Sequence, residues 1–187
     1  MSSYVILLRG IDVGGKNKIS MVELRQCLDE QGFEDVITYI QSGNVVLSSS
    51  LDTGAIREKI ESALPRNFRL DSSIIKVLPL DHKTFKEVIT QAPQDFGNDA
   101  TNYRYYVIFL MDIDSSEAIK QIDVHDGVDK AWQGDKVIYY RLPSLSSPNA
   151  TKIHLGKMTQ KPLYQSTTIR NWNTIVNLLR ILEDHNT

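Results

Sequence analysis

Gly10-Ile11-Asp12-Val13-Gly14-Gly15-Lys16 sets glycines and a lysine at the spacing of a phosphate-binding loop. In such a loop backbone N–H groups surround an anion and the lysine meets its charge. Arg9 precedes the run and Lys18 follows it, so cations flank the glycines on both sides. Glycine admits positive φ and lets backbone approach a ligand closely. The pattern breaks at its eighth position, Asn17, where a serine or threonine would ligate magnesium. A capping box, Ser20-Met21-Val22-Glu23, also begins the next helix several residues after the Gly-Lys pair. The acid-ended apolar run at 107–112 lies among short strands and hairpins, which do not build a nucleotide-hydrolase sheet. What remains open to this loop is anion or phosphate binding; the alternative is a glycine-rich excursion with solvated lysines.

A second segment, Thr167-Thr168-Ile169-Arg170-Asn171-Trp172-Asn173-Thr174, reads as the opening of the final helix, with Thr168 or Asn171 as its cap. An arginine opposes the positive end of a helix dipole, so Arg170 calls for an anion there, either a bound ligand or a carboxylate from elsewhere in the chain. Trp172 reads as a core anchor, since it begins an apolar stripe continued by Ile175, Val176, Leu179 and Leu182. Between these segments, Gln41-Ser42-Gly43-Asn44 is a tight turn whose Gln41 and Asn44 amides could line a site. The expected ligand-binding set is therefore Arg9, Gly10, Gly14, Gly15, Lys16, Lys18, Gln41, Asn44, Thr168, Arg170 and Asn171. It requires the first loop and the start of the last helix to meet in space.

Other chemistry finds no support. The four histidines, His82, His125, His154 and His185, have no metal-ligand spacing, and Cys27 is the single cysteine, so neither a metal site nor a disulfide is expected. Cys27 falls in an apolar helical pattern and reads as a small buried hydrophobe. Ser42 lacks the context of a nucleophile elbow, and no carboxylate pair identifies itself as an acid–base couple. No catalytic residue and no cofactor is assigned. Tyr105, Tyr106 and Phe109 share one strand but lack the basic-glycine-aromatic signature of an RNA-binding sheet.

The elements that must position these groups follow from pattern. Residues 4–8 form a buried strand; the capped helix runs from Ser20 to a stop at Gly32; strands at 36–41 and 45–48 flank the turn. A helix over 55–64 ends at Pro65, a strand covers 74–78, and Asp81 caps a short helix with Phe85, Val88 and Ile89 on its apolar face. The second half repeats the order, with a strand at 103–111, a helix at 115–122, strands at 130–133 and 136–141, and a helix at 149–158. The predicted class is α+β: two ferredoxin-like (split βαβ) units, duplicated, with an additional C-terminal helix. The divisions are 1–92, a linker at 93–102, and 103–187.

The net charge is −2, yet residues 136–182 carry seven basic side chains and no carboxylate. Such a stretch suits a negative partner, nucleic acid included, unless carboxylates of the middle third neutralise it in the fold. No run is long enough for a signal core or a membrane span, so the expected address is cytoplasmic with no membrane partner.

Three segments together, Leu7-Leu8-Arg9-Gly10-Ile11-Asp12-Val13-Gly14-Gly15-Lys16-Asn17-Lys18, Thr38-Tyr39-Ile40-Gln41-Ser42-Gly43-Asn44-Val45-Val46 and 167–174, resemble a bacterial family known as domain of unknown function sixteen ninety-seven. Asp12 stands where that family more often has Asn, which adds a negative charge to the loop. The resemblance implies duplicated ferredoxin-like units and no established activity. The leading functional expectation is a small phosphorylated or otherwise anionic ligand. Nucleic-acid binding through the basic stretch is the alternative, and a structural or protein-interaction role a second one; the residues do not settle whether the protein is an enzyme, or its oligomeric state.

Overall fold

The alternation of Tyr4, Ile6 and Leu8 with Val5 and Leu7 makes the first strand apolar on both faces, and all five side chains are buried. The computed structural model describes residues 1–11, 16–71, 75–150, 158 and 160–184. It divides into two units, Met1–Lys86 with Asn177–Thr187, and Glu87–Val176.

The first unit follows the order β1 (Ser2–Arg9), α1 (Met21–Glu30), β2 (Glu34–Tyr39), β3 (Asn44–Ser49), α2 (Thr53–Asn67) and β4 (Lys76–Asp81). Its sheet order is β2-β3-β1-β4, with every pairing antiparallel. Tyr4, Ile6 and Leu8 join Val45 and Leu47 beneath Leu24 and Leu28 of α1 and Ile56, Ile60 and Leu64 of α2. The expected cap of α1 is present, with Ser20 Oγ accepting from Glu23 N at 3.5 Å. Gly32, at φ 79°, ends the helix as expected. Cys27 is buried, as read from the sequence.

One boundary is corrected. The second helix does not stop before Pro65 but runs through it to Asn67. Asp52 Oδ1 accepts from Ala55 N at 2.8 Å, which starts the helix two residues early. Proline deletes one N–H, and the last turn is still closed by Phe68 N donating to Leu64 O at 2.9 Å. Burial of Ala63 and Leu64 holds that turn against the core.

α3 (His82–Thr90) follows, with Asp81 Oδ1 accepting from Thr84 N at 2.8 Å, as the sequence indicated. The second unit then repeats the plan with β5 (Tyr103–Leu110), α4 (Ser115–Lys120), β6 (Lys130–Gln133), β7 (Val137–Pro143) and β8 (Thr167–Asn171), in the order β6-β7-β5-β8. Ile108, Leu110, Ile138, Tyr140 and Leu142 form its core with Ala118 of α4 and Leu163. The helix expected over 149–158 falls mostly on 151–157, outside the described residues. The last helix, α5, spans Trp172–Asp184. Its deepest residues are Ile175, Leu178 and Leu182, whereas Val176 is 45% exposed and so leaves the stripe assigned to it. The helix is apolar over more than half its circumference, and periodicity alone does not choose between neighbouring stripes.

Residues 93–102, read as a linker from composition, lie inside the second unit. Phe96 is buried there, with the rings of Tyr105, Trp132, Tyr139 and Trp172 set edge-on at centroid distances of 4.9, 5.8, 5.4 and 5.1 Å. Gly97, at φ 93°, packs so tightly that a Cβ would lie 2.3 Å from Trp172 Nε1. Phe96→Ala should therefore cost roughly 3–5 kcal/mol in denaturant unfolding and red-shift tryptophan emission; an unchanged midpoint would show the segment to be a tether after all. In the first unit, a Cβ on Gly43 (φ 69°) would meet Leu8 Cβ at 2.8 Å. Gly43→Ala combines left-handed backbone with overpacking, and about 2–4 kcal/mol of destabilisation is expected by the same measurement.

Candidate functional site

The basic loop starts where β1 leaves the core. Arg9 is the last residue of that strand, paired opposite Lys76, and Gly10 turns the chain at φ 89°. Gly14 and Gly15 lie outside the described residues. Lys16 and Lys18 are both exposed, and Asn17 between them is buried at φ 51°. Asparagine tolerates this left-handed conformation better than other side chains with a Cβ.

Asn17 is tied to residues on two other segments. Its Nδ2 donates to Gly10 O at 2.9 Å, which closes the excursion on itself. Its backbone N donates to Asp71 Oδ2 at 2.8 Å, and Asp71 N donates back to Asn17 Oδ1 at 2.8 Å. Hydrogen bonds of this kind are each worth about 1 kcal/mol net, and losing one partner of a buried pair costs more. The hairpin between β2 and β3 braces the same end of the sheet: Gly43 O accepts from Leu8 N at 2.8 Å, and Gln41 Nε2 donates to Ile19 O at 2.8 Å. Asn44 is fully buried, and its Nδ2 donates to Tyr39 O and to Ser42 Oγ. Arg9, Gly10, Lys16, Lys18, Gln41 and Asn44 are thus gathered at the end of one sheet. Among the described residues neither Lys16 nor Lys18 has an ion pair.

Asn17 and Asp71 were absent from the expected set. Asn17 stood out in the sequence only as a mismatch to the nucleotide-loop pattern, although its type suits a left-handed position. Asp71 lies 54 residues away with no local signal.

The second segment differs from expectation. Thr167–Asn171 is strand β8, paired with β5, and not the first turn of a helix. The β-branched run Thr167-Thr168-Ile169 favours the extended chain. Thr168 accordingly caps no helix, whereas Asn171 Oδ1 accepts from Asn173 N at 2.9 Å at the start of α5. Arg170 is buried in the second unit, and its Nη1 donates to Thr168 Oγ1 and Ile169 O, each at 2.9 Å. Burial lowers its pKa to about 10, which leaves it charged near neutrality. The helix-dipole argument for an anion at Arg170 therefore lapses.

Two cations of the basic stretch are engaged within the second unit. Lys161 pairs with Asp123 at 2.7 Å, and the Arg141 guanidinium lies 4.0 Å from the centroid of the Tyr103 ring. Lys152 and Lys157 fall outside the described residues. Of the three aromatics noted on β5, Tyr105 and Phe109 are 7% and 1% exposed, whereas Tyr106 is partly buried against the core of the second unit. Tyr140 donates its hydroxyl to the buried Asp129 carboxylate, and burial, followed by that hydrogen bond, lifts its pKa far above the usual phenol range. A proton so tightly held serves the core and not acid–base exchange at neutral pH. Burial and then the nearby Glu30 carboxylate push the Cys27 thiol up, which makes it a poor nucleophile. No group of metal-ligating side chains occurs among the described residues, and no described helix is long and apolar enough to cross a membrane.

No curated protein matches the chain. Among solved structures, the conserved bacterial protein SP0830 from Streptococcus pneumoniae is similar over 98% of this chain and 99% of its own, with 26% identity and a TM-score of 0.78. The model of a family described as "Protein of unknown function (DUF1697)" matches residues 1–139, which contain the basic loop, the hairpin and the Asn17–Asp71 clamp, and the chain belongs to that family.

Proposed function

We infer that the first unit binds a small anionic ligand, a phosphorylated one in particular, at the loop after β1. Lys16 and Lys18 supply charge from a segment whose ends are tied down, and Arg9 stands at the strand end beside them. The observation that carries this reading is the clamp: Asn17 is bonded both to Gly10 and to Asp71, so two exposed lysines flank a buried, fixed residue. A mobile loop would have to be ordered on binding and would lose affinity for each side chain immobilised. With Gly10 and Asn17 already tied together, Lys16 and Lys18 avoid part of that cost. Glycines at positions 14 and 15 fit close backbone approach to the anion. Thr168, Arg170 and Asn171 belong to the second unit and are not included in this site.

Thermal denaturation against a panel of nucleotides and phosphorylated metabolites, at constant ionic strength, tests the reading. A compound at about 100 times its Kd stabilises by about 2.7 kcal/mol, which for a chain of this size raises the melting temperature by about 5–10 °C. The Lys16→Ala/Lys18→Ala variant should keep the parent's melting temperature without ligand and lose the rise. Absence of any rise across the panel in the parent would overturn the proposal.

A further inference from the structure

Lys18 belongs to the basic loop and also lines a surface depression of about 420 Å³ in the first unit, together with Arg69 and one face of α1. That face is Glu23, Gln26, Cys27 and Glu30, which follow helical spacing. The depression thus carries two cations and two carboxylates. The cations come from the segments that the Asn17–Asp71 clamp joins, since Lys18 follows Asn17 directly and Arg69 lies two residues before Asp71. The carboxylates come from α1. Among the described residues none of these four charges is within ion-pair distance of an opposite one. Glu30 is oriented by Gln26, whose Nε2 donates to its Oε1 at 3.0 Å. The Glu30 charge also reaches the buried Cys27 thiol in the lining.

A purely anionic ligand seated here would face two carboxylates, and a purely cationic one would face two cations. A ligand with both signs satisfies both sets. We propose that the depression takes a phosphorylated amine, its phosphate at Lys18 and Arg69 and its ammonium at Glu23 and Glu30. The proposal rests on the anion-binding reading of the loop, because Lys18 serves both, and it adds Arg69 and the α1 carboxylates as groups that select the ligand.

Calorimetric titration of the full chain with O-phosphoethanolamine, ethyl phosphate and inorganic phosphate at fixed ionic strength tests it. Exposed charge pairs contribute little each, so O-phosphoethanolamine should bind about threefold to tenfold more tightly than ethyl phosphate. In the Glu23→Gln/Glu30→Gln variant that preference should vanish while ethyl phosphate binds at least as well as to the parent. Equal affinities of the parent for O-phosphoethanolamine and ethyl phosphate would overturn the zwitterion proposal and leave the anion reading standing. A preference that survives in the variant would overturn the assignment of the ammonium to α1. If none of the three phosphates binds, the phosphorylated-amine proposal falls, and the anion reading is then decided by the nucleotide and metabolite panel.

Discussion

Burial of β1 is the constraint on which the first unit depends. Val5, Ile6 and Leu7 have no exposed surface, and the strand pairs on both sides, with β3 and with β4. A strand closed in on both edges and both faces cannot carry an accessible polar side chain along its middle. The first position at which the chain regains solvent is its carboxyl end, at Arg9 and Gly10. Glycine and basic residues are concentrated at that exit, and the neighbouring hairpin and the segment after α2 are bonded to it. The second unit builds β5 on the same principle, central in its sheet with Val107 and Ile108 fully buried.

The clamp at Asn17 ties the end of an eleven-residue connection to Gly10 at its start and to Asp71 after α2. Connections of this type are usually about 2–6 residues long, and the extra length would be entropically costly to order without local bonds. Three hydrogen bonds from one buried asparagine supply them, and a fourth from Gln41 fastens the return to α1. The amides of Gln41 and Asn44 are engaged in holding backbone, so the polarity of the hairpin contributes to the architecture of the loop. The charges at Lys16 and Lys18 remain for solvent or ligand.

The duplicated plan has diverged in its chemistry. Where the first unit sets a glycine-rich basic loop after β1, the second has the short acidic connection between β5 and α4, with Asp114 capping α4 through Ser116 N at 2.8 Å. Where the first unit has an asparagine clamp, the second has the Tyr140–Asp129 pair inside its core. The shared features are those that bury apolar surface; the units differ in the connection after the first strand and in the polar pair within the second core.

Alternation, capping residues and turn chemistry determined by themselves the class of fold, the capped helices at Ser20 and Asp81, the hairpin at Gly43 and the basic loop, because each depends on residues within a few positions of one another. The strand at 167–171 agrees with its β-branched run and was hidden by the capping residues within it, whereas the helix through Pro65 and the depth of Leu178 were decided by packing, which outweighs local propensity where a core is available. The same holds for the clamp and the mixed-charge depression. Asn17 meets Asp71 and Lys18 shares a cavity with Arg69 only because α1 and α2 pack on one sheet, and no local pattern records a contact between residues some fifty positions apart.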